Sequence, residues 1–207
     1  MAKLGKRDLA RAIGELERFG LLLQHDSVLP SFTSVSVREP VRGSWWAHPR
    51  AHEIYELLQL FRVESGGLTA KLVNGKLTFV ARRLWPALMA IGRGEAEWQC
   101  DGLSKDAEAV LGYVRRRGAV RADQVDFVPD VEVAKILALL EKRLLVHVEA
   151  FHSEAGSHHK LLRSWRRWCA DAGYTPERRA LGTARAELEA AARGLSDACG
   201  ARARLPW

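Results

Sequence analysis

The sequence predicts a mixed α+β fold in which helices are the majority and two small hairpins supply the strands. First, apolar residues recur at three- and four-residue spacing in several segments, most clearly from Lys6 to Phe19. Second, Leu68 to Val80 alternates on both sides of Asn74-Gly75, the strongest short signal for a hairpin turn. Third, three short helical patterns precede a second hairpin between Ser104 and Trp165.

The chain has the composition of a globular protein with a basic surface. It has 207 residues, of which 47% are hydrophobic, and its formal net charge is +7 with a pI of about 9.7. This length suits one large domain or two small ones. A basic balance favours a polyanionic partner such as nucleic acid or an anionic membrane surface. The alternative is a basic protein without such a partner.

Cysteine usage and the first residues bear on the compartment. Cys100, Cys169 and Cys199 are far apart and form no Cys-x-x-Cys pair, which argues for a reducing compartment and against a disulfide framework or a zinc finger. Met1 to Gly20 carries charges throughout and has no long apolar core, so it predicts neither a signal peptide nor a transmembrane segment. We expect a cytoplasmic protein with no membrane partner.

The first hundred residues are predicted as a helix, a short strand, a second helix and a hairpin. Gly20 predicts the end of the first helix, and Pro49 suits the first turn of the second. In order, the segments are a helix at Lys6–Phe19, a short strand at Leu21–Gln24, irregular chain leading into a strand at Ser27–Val37, a helix from Pro49 to about Val63, the hairpin at Leu68–Val80, a helix from Trp85 to Gly92 and an inter-domain link at Arg93–Gly102.

The remaining residues begin with a well-capped helix. Ser104 is a good N-cap, and Arg115-Arg116-Arg117 followed by Gly118 is a typical helix end. The segments that follow are a short strand at Ala119–Val120, a short helix at Arg121–Val125, a third helix capped by Asp130, a strand at Leu144–Phe151, a turn at His152–His159, a return strand at Lys160–Arg163, a basic helical piece after Trp165 and a helix from Pro176 to about Ala198.

Ala119 to Leu145 resembles the winged helix-turn-helix superfamily. The run Ala-Val-Arg-Ala-Asp-Gln-Val holds the small second helix, and Leu-Glu-Lys-Arg-Leu-Leu-Val leads from the third helix into the wing. The resemblance covers about sixty residues and implies DNA binding, the common role of this module in regulators. The pattern is also similar to modules of bacterial DNA-repair glycosylases built from tandem winged helices, whose Gln-x-Gln-type catalytic motif this sequence lacks.

A helix followed by a tight hairpin also occurs in the N-terminal half, which makes that half a candidate second winged helix. We therefore predict three regions: an N-terminal helix/hairpin module at 1–100, a winged helix at 101–165 and a C-terminal helical extension at 166–207. Lys and Arg balance Asp and Glu at ten each over 101–163, so the positive excess lies outside the predicted winged helix.

The expected nucleic-acid contacts are therefore basic residues around both hairpins. On the third helix only Lys135 and Lys142 suit phosphate, and no Asn, Gln or Arg is placed at its centre to read a base. The predicted nucleic-acid-binding residues are Trp45, Trp46, Arg50, Lys71, Lys76, Arg82, Arg83, Lys135, Lys142, His158, His159, Lys160, Arg163, Arg166 and Arg167.

The densest local group runs from Trp45 to Glu53. Its two tryptophans could stack an unpaired base while Arg50 holds a phosphate. The favoured interpretation is structural: the tryptophans pack and His48 caps the helix. A third interpretation is an acid/base or metal site at His48, His52 and Glu53, although the spacing is not His-Glu-x-x-His. We predict no catalytic residue, metal or cofactor.

The leading hypothesis is a DNA-binding protein of winged-helix type, regulatory or associated with DNA repair, with double-stranded DNA as its partner. The first alternative is a winged-helix scaffold that binds another protein and not DNA. The second is a nucleic-acid-processing enzyme that uses the His48/His52/Glu53 region.

Overall fold

Residues 3–152 and 158–207 are described by a computed structural model of the chain, with side chains at all of these positions except 151, 152, 158 and 159. The chain divides into two units. The first unit comprises residues up to Trp85 together with Arg185–Pro206, and the second comprises Pro86–Ala184 together with Trp207. The regions predicted from the sequence end at residues 100 and 165, whereas the two units meet after Trp85 and again after Ala184.

Up to Trp85, the elements of the first unit follow the predicted order, apart from a helix at Phe32–Val37 that replaces a predicted strand and two 3-10 turns that were not predicted. They are helix α1 (Lys6–Phe19), strand β1 (Leu21–Leu23), helix α2 (Phe32–Val37), a 3-10 turn (Trp45–Ala47), helix α3 (Ala51–Glu64), strands β2 (Thr69–Val73) and β3 (Lys76–Val80), and a second 3-10 turn (Arg82–Leu84). Gly20 ends α1 in the left-handed conformation, with φ at 81°, and its amide donates to the carbonyl of Leu16.

The segment 27–37 begins as irregular chain, as predicted, but the strand predicted after it is wrong, because helix α2 occupies residues 32–37. Ser31 caps the helix by accepting a hydrogen bond from the Ser34 amide at 3.3 Å. Phe32 is fully buried in the core, and the hydroxyl of the buried Ser36 donates to the Phe32 carbonyl at 2.7 Å. Burial of one face and the cap thus outweigh the strand preference of the valines nearby.

The first sheet is antiparallel with the order β1-β3-β2. The turn joining β2 and β3 is the predicted Asn74-Gly75, and both residues have positive φ, at 52° and 67°. This is the conformation that a type I′ hairpin turn requires. Behind the sheet, the Phe61 ring of α3 lies 4.9 Å from the Phe32 ring and 4.8 Å from the Phe79 ring.

The last residues of the chain bind the tip of this hairpin. The Asn74 amide donates to the Arg204 carbonyl at 2.8 Å, and the Arg204 amide donates back to Asn74 Oδ1 at 2.9 Å. Asn74 Nδ2 also donates to the carbonyl of Arg202 at 3.2 Å. The tip is therefore fixed by a short C-terminal segment of its own unit.

The second unit has two additional elements before the predicted helix–strand–helix–hairpin series. Its helices are α4 (Trp85–Gly94), α5 (Glu97–Cys100), α6 (Lys105–Arg117), α7 (Asp130–Lys142), α8 (Trp165–Asp171) and the start of α9 (Leu181–Cys199); its strands are β4 (Ala119–Arg121), β5 (His147–His152) and β6 (His158–Arg163), and a 3-10 turn covers Ala122–Gln124. Ser104 caps α6 as predicted, by accepting from the Ala107 amide. The N-cap of α7 is Pro129, so Asp130 is the first helical residue and not the cap.

The segment predicted as an inter-domain link is a packed part of the second unit. Gln99 in α5 is fully buried, and its side chain accepts from the Ala96 amide and donates to the Arg143 carbonyl, both at 2.9 Å. The Arg143 guanidinium in turn donates to the carbonyls of Gln99 and Asp101. These bonds hold 95–102 against the end of α7.

The second sheet repeats the order of the first. Its order is β4-β6-β5, and β4 pairs with β6 so that Val120 faces Leu162. Val110, Val114 and Leu140 pack with them in the core beneath the sheet. We call residues 6–80 the N-terminal module and residues 105–163 the C-terminal module. In both, a helix and a short strand precede a further helix and a hairpin, and the short strand pairs with the second strand of the hairpin.

The fold class is thus confirmed as mixed α+β with two small antiparallel sheets. Over the described ranges 3–152 and 158–207, no helix has both the length and the apolar character needed to cross a membrane.

Candidate nucleic-acid interface

Trp45 and Trp46, both predicted to stack on bases, have different environments. Trp45 is 8% exposed and belongs to the core of the N-terminal module. Trp46 is 56% exposed; one face stacks on Trp45 at 4.1 Å between centroids, and its edge lies 5.5 Å from the Tyr55 ring of α3. Only Trp46 presents an indole surface to solvent.

His48 and Glu53 form the start of α3. His48 Nδ1 accepts from the Arg50 amide at 3.1 Å, and its Nε2 lies 3.1 Å from Glu39 Oε1. Glu53 binds the Arg50 guanidinium through both oxygens, at 3.2 and 3.0 Å, and accepts from the Leu4 amide at 2.8 Å. These hydrogen bonds, the one from Arg50 foremost, lower the pKa of Glu53 to about 2.

This arrangement does not suit the acid/base or metal interpretation of the segment. A carboxyl group with a pKa near 2 stays ionised at neutral pH and has no proton to donate. Within the part of the chain that the structure describes, no three His, Cys, Asp or Glu side chains are placed to hold a metal ion. The prediction that His48 caps the helix is wrong, because the N-cap of α3 is Arg50 and His48 accepts only from the amide of that residue.

The basic residues around the first hairpin bind partners inside their own unit. Lys76 donates to the buried Asp26 carboxylate at 2.6 Å. Burial raises the pKa of Asp26, but the hydrogen bonds from Lys76 and from the amides of Val28 and Leu29 outweigh it, so the pKa is lowered overall. Arg83 donates to the Glu17 carbonyl at the end of α1.

Arg82 and Lys71 complete the predicted set at this hairpin. The Arg82 guanidinium lies 5.1 Å from the centroid of the Trp85 ring, a cation–π distance. Lys71 is half-buried on β2 and also contacts a partner. The basic side chains around this hairpin thus bind partners within the fold and do not only face solvent.

The predicted residues in the C-terminal module and just after it divide into a paired and an unpaired group within the part of the chain that the structure describes. Lys135 pairs with Glu132 at 2.7 Å, Arg167 pairs with Asp171 at 2.7 Å, and Arg163 pairs with both Glu149 and Asp171. Lys142, Lys160 and Arg166 are exposed, and no described residue forms an ion pair with them. The side chains of His158 and His159 lie outside the described residues.

The structure also brings together arginines that the site prediction omits. Arg93, Arg178 and Arg179 line one cleft of the second unit, and Arg93, Arg115 and Arg166 line another. Of these, only Arg166 is in the predicted set. The one local signal for this arrangement is Gly92-Arg93-Gly94, a cation between two glycines near a helix end. The other positions are brought together by the fold.

Comparisons with protein-family models, with curated proteins and with solved structures found no match for this chain.

Proposed function

We propose that the chain is a DNA-binding protein of regulatory or repair type, built from two winged-helix modules at 6–80 and 105–163. The observation that carries this proposal is the repeated topology. In each module a short strand after the first helix pairs with the last strand of a hairpin. The helix just before that hairpin, α3 or α7, is longer than any element between it and the first helix. In a DNA-binding winged helix, that helix enters the major groove and the hairpin contacts the backbone.

The surfaces favour contact with the phosphate backbone over base reading. The centre of α7 exposes Ala134, Lys135 and Ala138, and Lys135 is paired with Glu132. No Arg, Asn or Gln is exposed there to read a base edge, and the one lysine is already paired with a carboxylate. Lys142, Lys160 and Arg166 are the predicted cations of this region that remain available for phosphate. We therefore expect weakly sequence-dependent and strongly salt-dependent binding.

The test is a fluorescence-anisotropy titration of a short labelled duplex across a salt series. We expect log Kobs to fall linearly with log salt, by about 0.9 for each phosphate contact. Two unrelated duplex sequences should give similar slopes. The proposal is overturned if the full chain fails to bind either duplex at low salt.

A second candidate function is that of a protein-binding scaffold, and α3 is the observation that favours it. Leu60 is 55% exposed and Val63 is 80% exposed, and Trp46 and Tyr55 of the same module are also exposed, at 56% and 40%. The exposed positions of this helix carry no Lys or Arg; they are His52, Tyr55, Glu56, Leu60, Val63 and Glu64. An apolar and acidic face suits a protein partner better than a polyanion.

The two candidates predict different results for Leu60→Glu/Val63→Glu. If α3 binds a protein, a partner recovered with the wild-type chain should be lost with this variant, while any affinity for DNA should change little. If α3 enters the major groove, the two added carboxylates should instead weaken DNA binding severely through charge repulsion.

A further inference from the structure

Two clefts in the second unit are lined by arginines and share one of them. The larger, of about 530 Å³, lies beside the end of α4 and the start of α9 and includes Arg93, Arg178 and Arg179. The smaller, of about 380 Å³, lies beside the start of α8 and includes Arg93, Arg115 and Arg166. Because Arg93 lines both, the clefts adjoin at this residue.

The backbone that carries Arg93 is fixed on both sides by close packing. A Cβ atom at Gly92 would lie 2.5 Å from Trp165 Nε1, and one at Gly94 would lie 2.5 Å from Leu181 Cδ2. A side chain at Gly92 would clash with the Trp165 indole, whereas one at Gly94 would have to displace the end of the Leu181 side chain. Trp165 is itself held in place, since its Nε1 donates to the Leu144 carbonyl at 2.6 Å.

The charge of the two clefts is strongly positive. Their linings contain five guanidinium groups and only two carboxylates, Glu95 and Glu177. Glu95 pairs with Arg115 at 2.7 Å, and Glu177 pairs with Arg179 at 3.6 Å. In the described part of the chain no ion pair or hydrogen bond engages the guanidinium groups of Arg93, Arg166 or Arg178.

This excess is a local feature of a nearly neutral unit. The second unit as a whole has 15 Lys and Arg against 14 Asp and Glu. The two clefts thus hold a larger positive excess than the entire unit, so acidic residues are concentrated on its other surfaces. The negative end of α4 favours a cation at Arg93, but it does not account for Arg166 and Arg178, which belong to other segments.

We propose that these clefts bind phosphate groups and that a nucleic-acid strand is the ligand that occupies both. Guanidinium groups bind phosphate oxygens through paired, charge-assisted hydrogen bonds. Two adjoining sites suit a ligand that carries phosphates in series, whereas a small phosphate compound fills only one. This inference rests on the proposed function and assigns the main backbone contact to the clefts and not to α7.

The test compares two triple variants of the full chain. The first, Arg93→Gln/Arg166→Gln/Arg178→Gln, removes the three cleft arginines that no ion pair or hydrogen bond engages among the described residues. The control, Arg7→Gln/Arg42→Gln/Arg193→Gln, removes three exposed arginines of the first unit and changes the net charge equally. Circular dichroism and thermal melting of each variant verify that it remains folded.

We expect the cleft variant to lose about three phosphate contacts. The slope of log Kobs against log salt should then become shallower by about 2.7, and affinity at low salt should fall by more than tenfold. The control should change the slope by less than about 1. If both variants keep the wild-type slope within that margin, the cleft assignment is overturned while DNA binding itself stands.

A second arm uses inorganic pyrophosphate, with thermal melting as the measurement. If the wild-type chain binds no duplex, the proposed function fails and the strand is not the occupant. Stabilisation by pyrophosphate that disappears in the cleft variant would in that case assign the clefts to a small phosphate ligand. Stabilisation of the control variant equal to that of the wild type is expected in either case.

Discussion

The two modules share a topology and differ in almost every surface that could bind a ligand. In the N-terminal module the hairpin turn is two residues long and its tip is bound by Arg202 and Arg204, while the exposed face of α3 is apolar and acidic. In the C-terminal module the equivalent helix α7 exposes Lys135 and Lys142, and the element between β4 and α7 is reduced to a 3-10 turn. The shared topology comes from the core, and the differences lie in residues that the core does not use.

Two histidines, one in each unit, also differ in their hydrogen bonding. In the first unit His25 has partners at both ring nitrogens, Thr33 Oγ1 at 2.9 Å and the Gly43 carbonyl at 2.7 Å. In the second unit His147 is 5% exposed, and neither ring nitrogen has a hydrogen-bond partner among the described residues. Its ring lies 5.7 Å from the Trp165 ring and 6.0 Å from the Trp168 ring. The His25 imidazole links helix α2 to the loop at Gly43, whereas the His147 imidazole is a buried neutral group.

The largest expected effects come from one substitution in the core of each module. Phe61→Ala in α3 removes a fully buried ring that contacts two other rings, so we expect the free energy of unfolding to fall by about 3–5 kcal/mol. Leu140→Ala, a fully buried position of α7, should cost about 2–5 kcal/mol. Denaturant unfolding monitored by tryptophan fluorescence measures both. A loss below 1 kcal/mol at either position would contradict this account of the cores.

The next effect is specific to the second unit and depends on pH. Burial lowers the pKa of His147 to about 4, with Glu149 opposing and Arg163 adding to the shift. The unfolded chain therefore takes up this proton near pH 6.5 and the folded chain only near pH 4, so stability falls as pH falls between these values. From pH 7.5 to pH 5 the loss should be about 2 kcal/mol.

His147→Phe keeps an aromatic ring between the two tryptophans and removes the proton. The variant should lose most of this decline in stability between pH 7.5 and pH 5. The window lies above the range in which Glu53, with its pKa of about 2, loses its contribution. Unfolding curves at the two pH values provide the measurement. An unchanged decline in the variant would show that other groups cause it.

Local signals were sufficient for much of the fold. Gly20, Asn74-Gly75 and Ser104 each specify a helix end, a turn or a cap through neighbours only a few residues away, and all three predictions are confirmed. The helix at Phe32–Val37 was missed because its valines favour strands, while the burial that stabilises it depends on distant residues.

The candidate site was much harder to predict, because charge pairing is a long-range property. Lys76 binds Asp26, 50 residues away, and Arg83 binds the carbonyl of Glu17, 66 residues away. Nothing in the local sequence distinguishes these cations from Arg166, whose guanidinium has no partner in the described part of the chain. The two clefts that share Arg93 likewise join residues from five separate segments.

The smallest effect concerns the hairpin tip of the N-terminal module. Asn74→Gly keeps the positive φ of the turn and the amide bond to the Arg204 carbonyl, but it removes both side-chain hydrogen bonds to the C-terminal segment. We expect a loss of about 1 kcal/mol, because exposed hydrogen bonds contribute little and the turn conformation is preserved. Hydrogen exchange at the Arg204 amide should accelerate, since that amide donates to the deleted oxygen.

Asn74→Ala is the informative companion, because it removes the same hydrogen bonds and also the residue's tolerance for positive φ. Its additional cost should be about 1 kcal/mol. If the two variants are equally stable, the backbone at position 74 has left the positive-φ conformation. The hydrogen bonds to the C-terminal segment are then not what fixes the turn. If exchange at Arg204 accelerates in neither variant, the C-terminal segment is held by contacts other than Asn74, and the restraint that distinguishes this tip does not come from the turn residue.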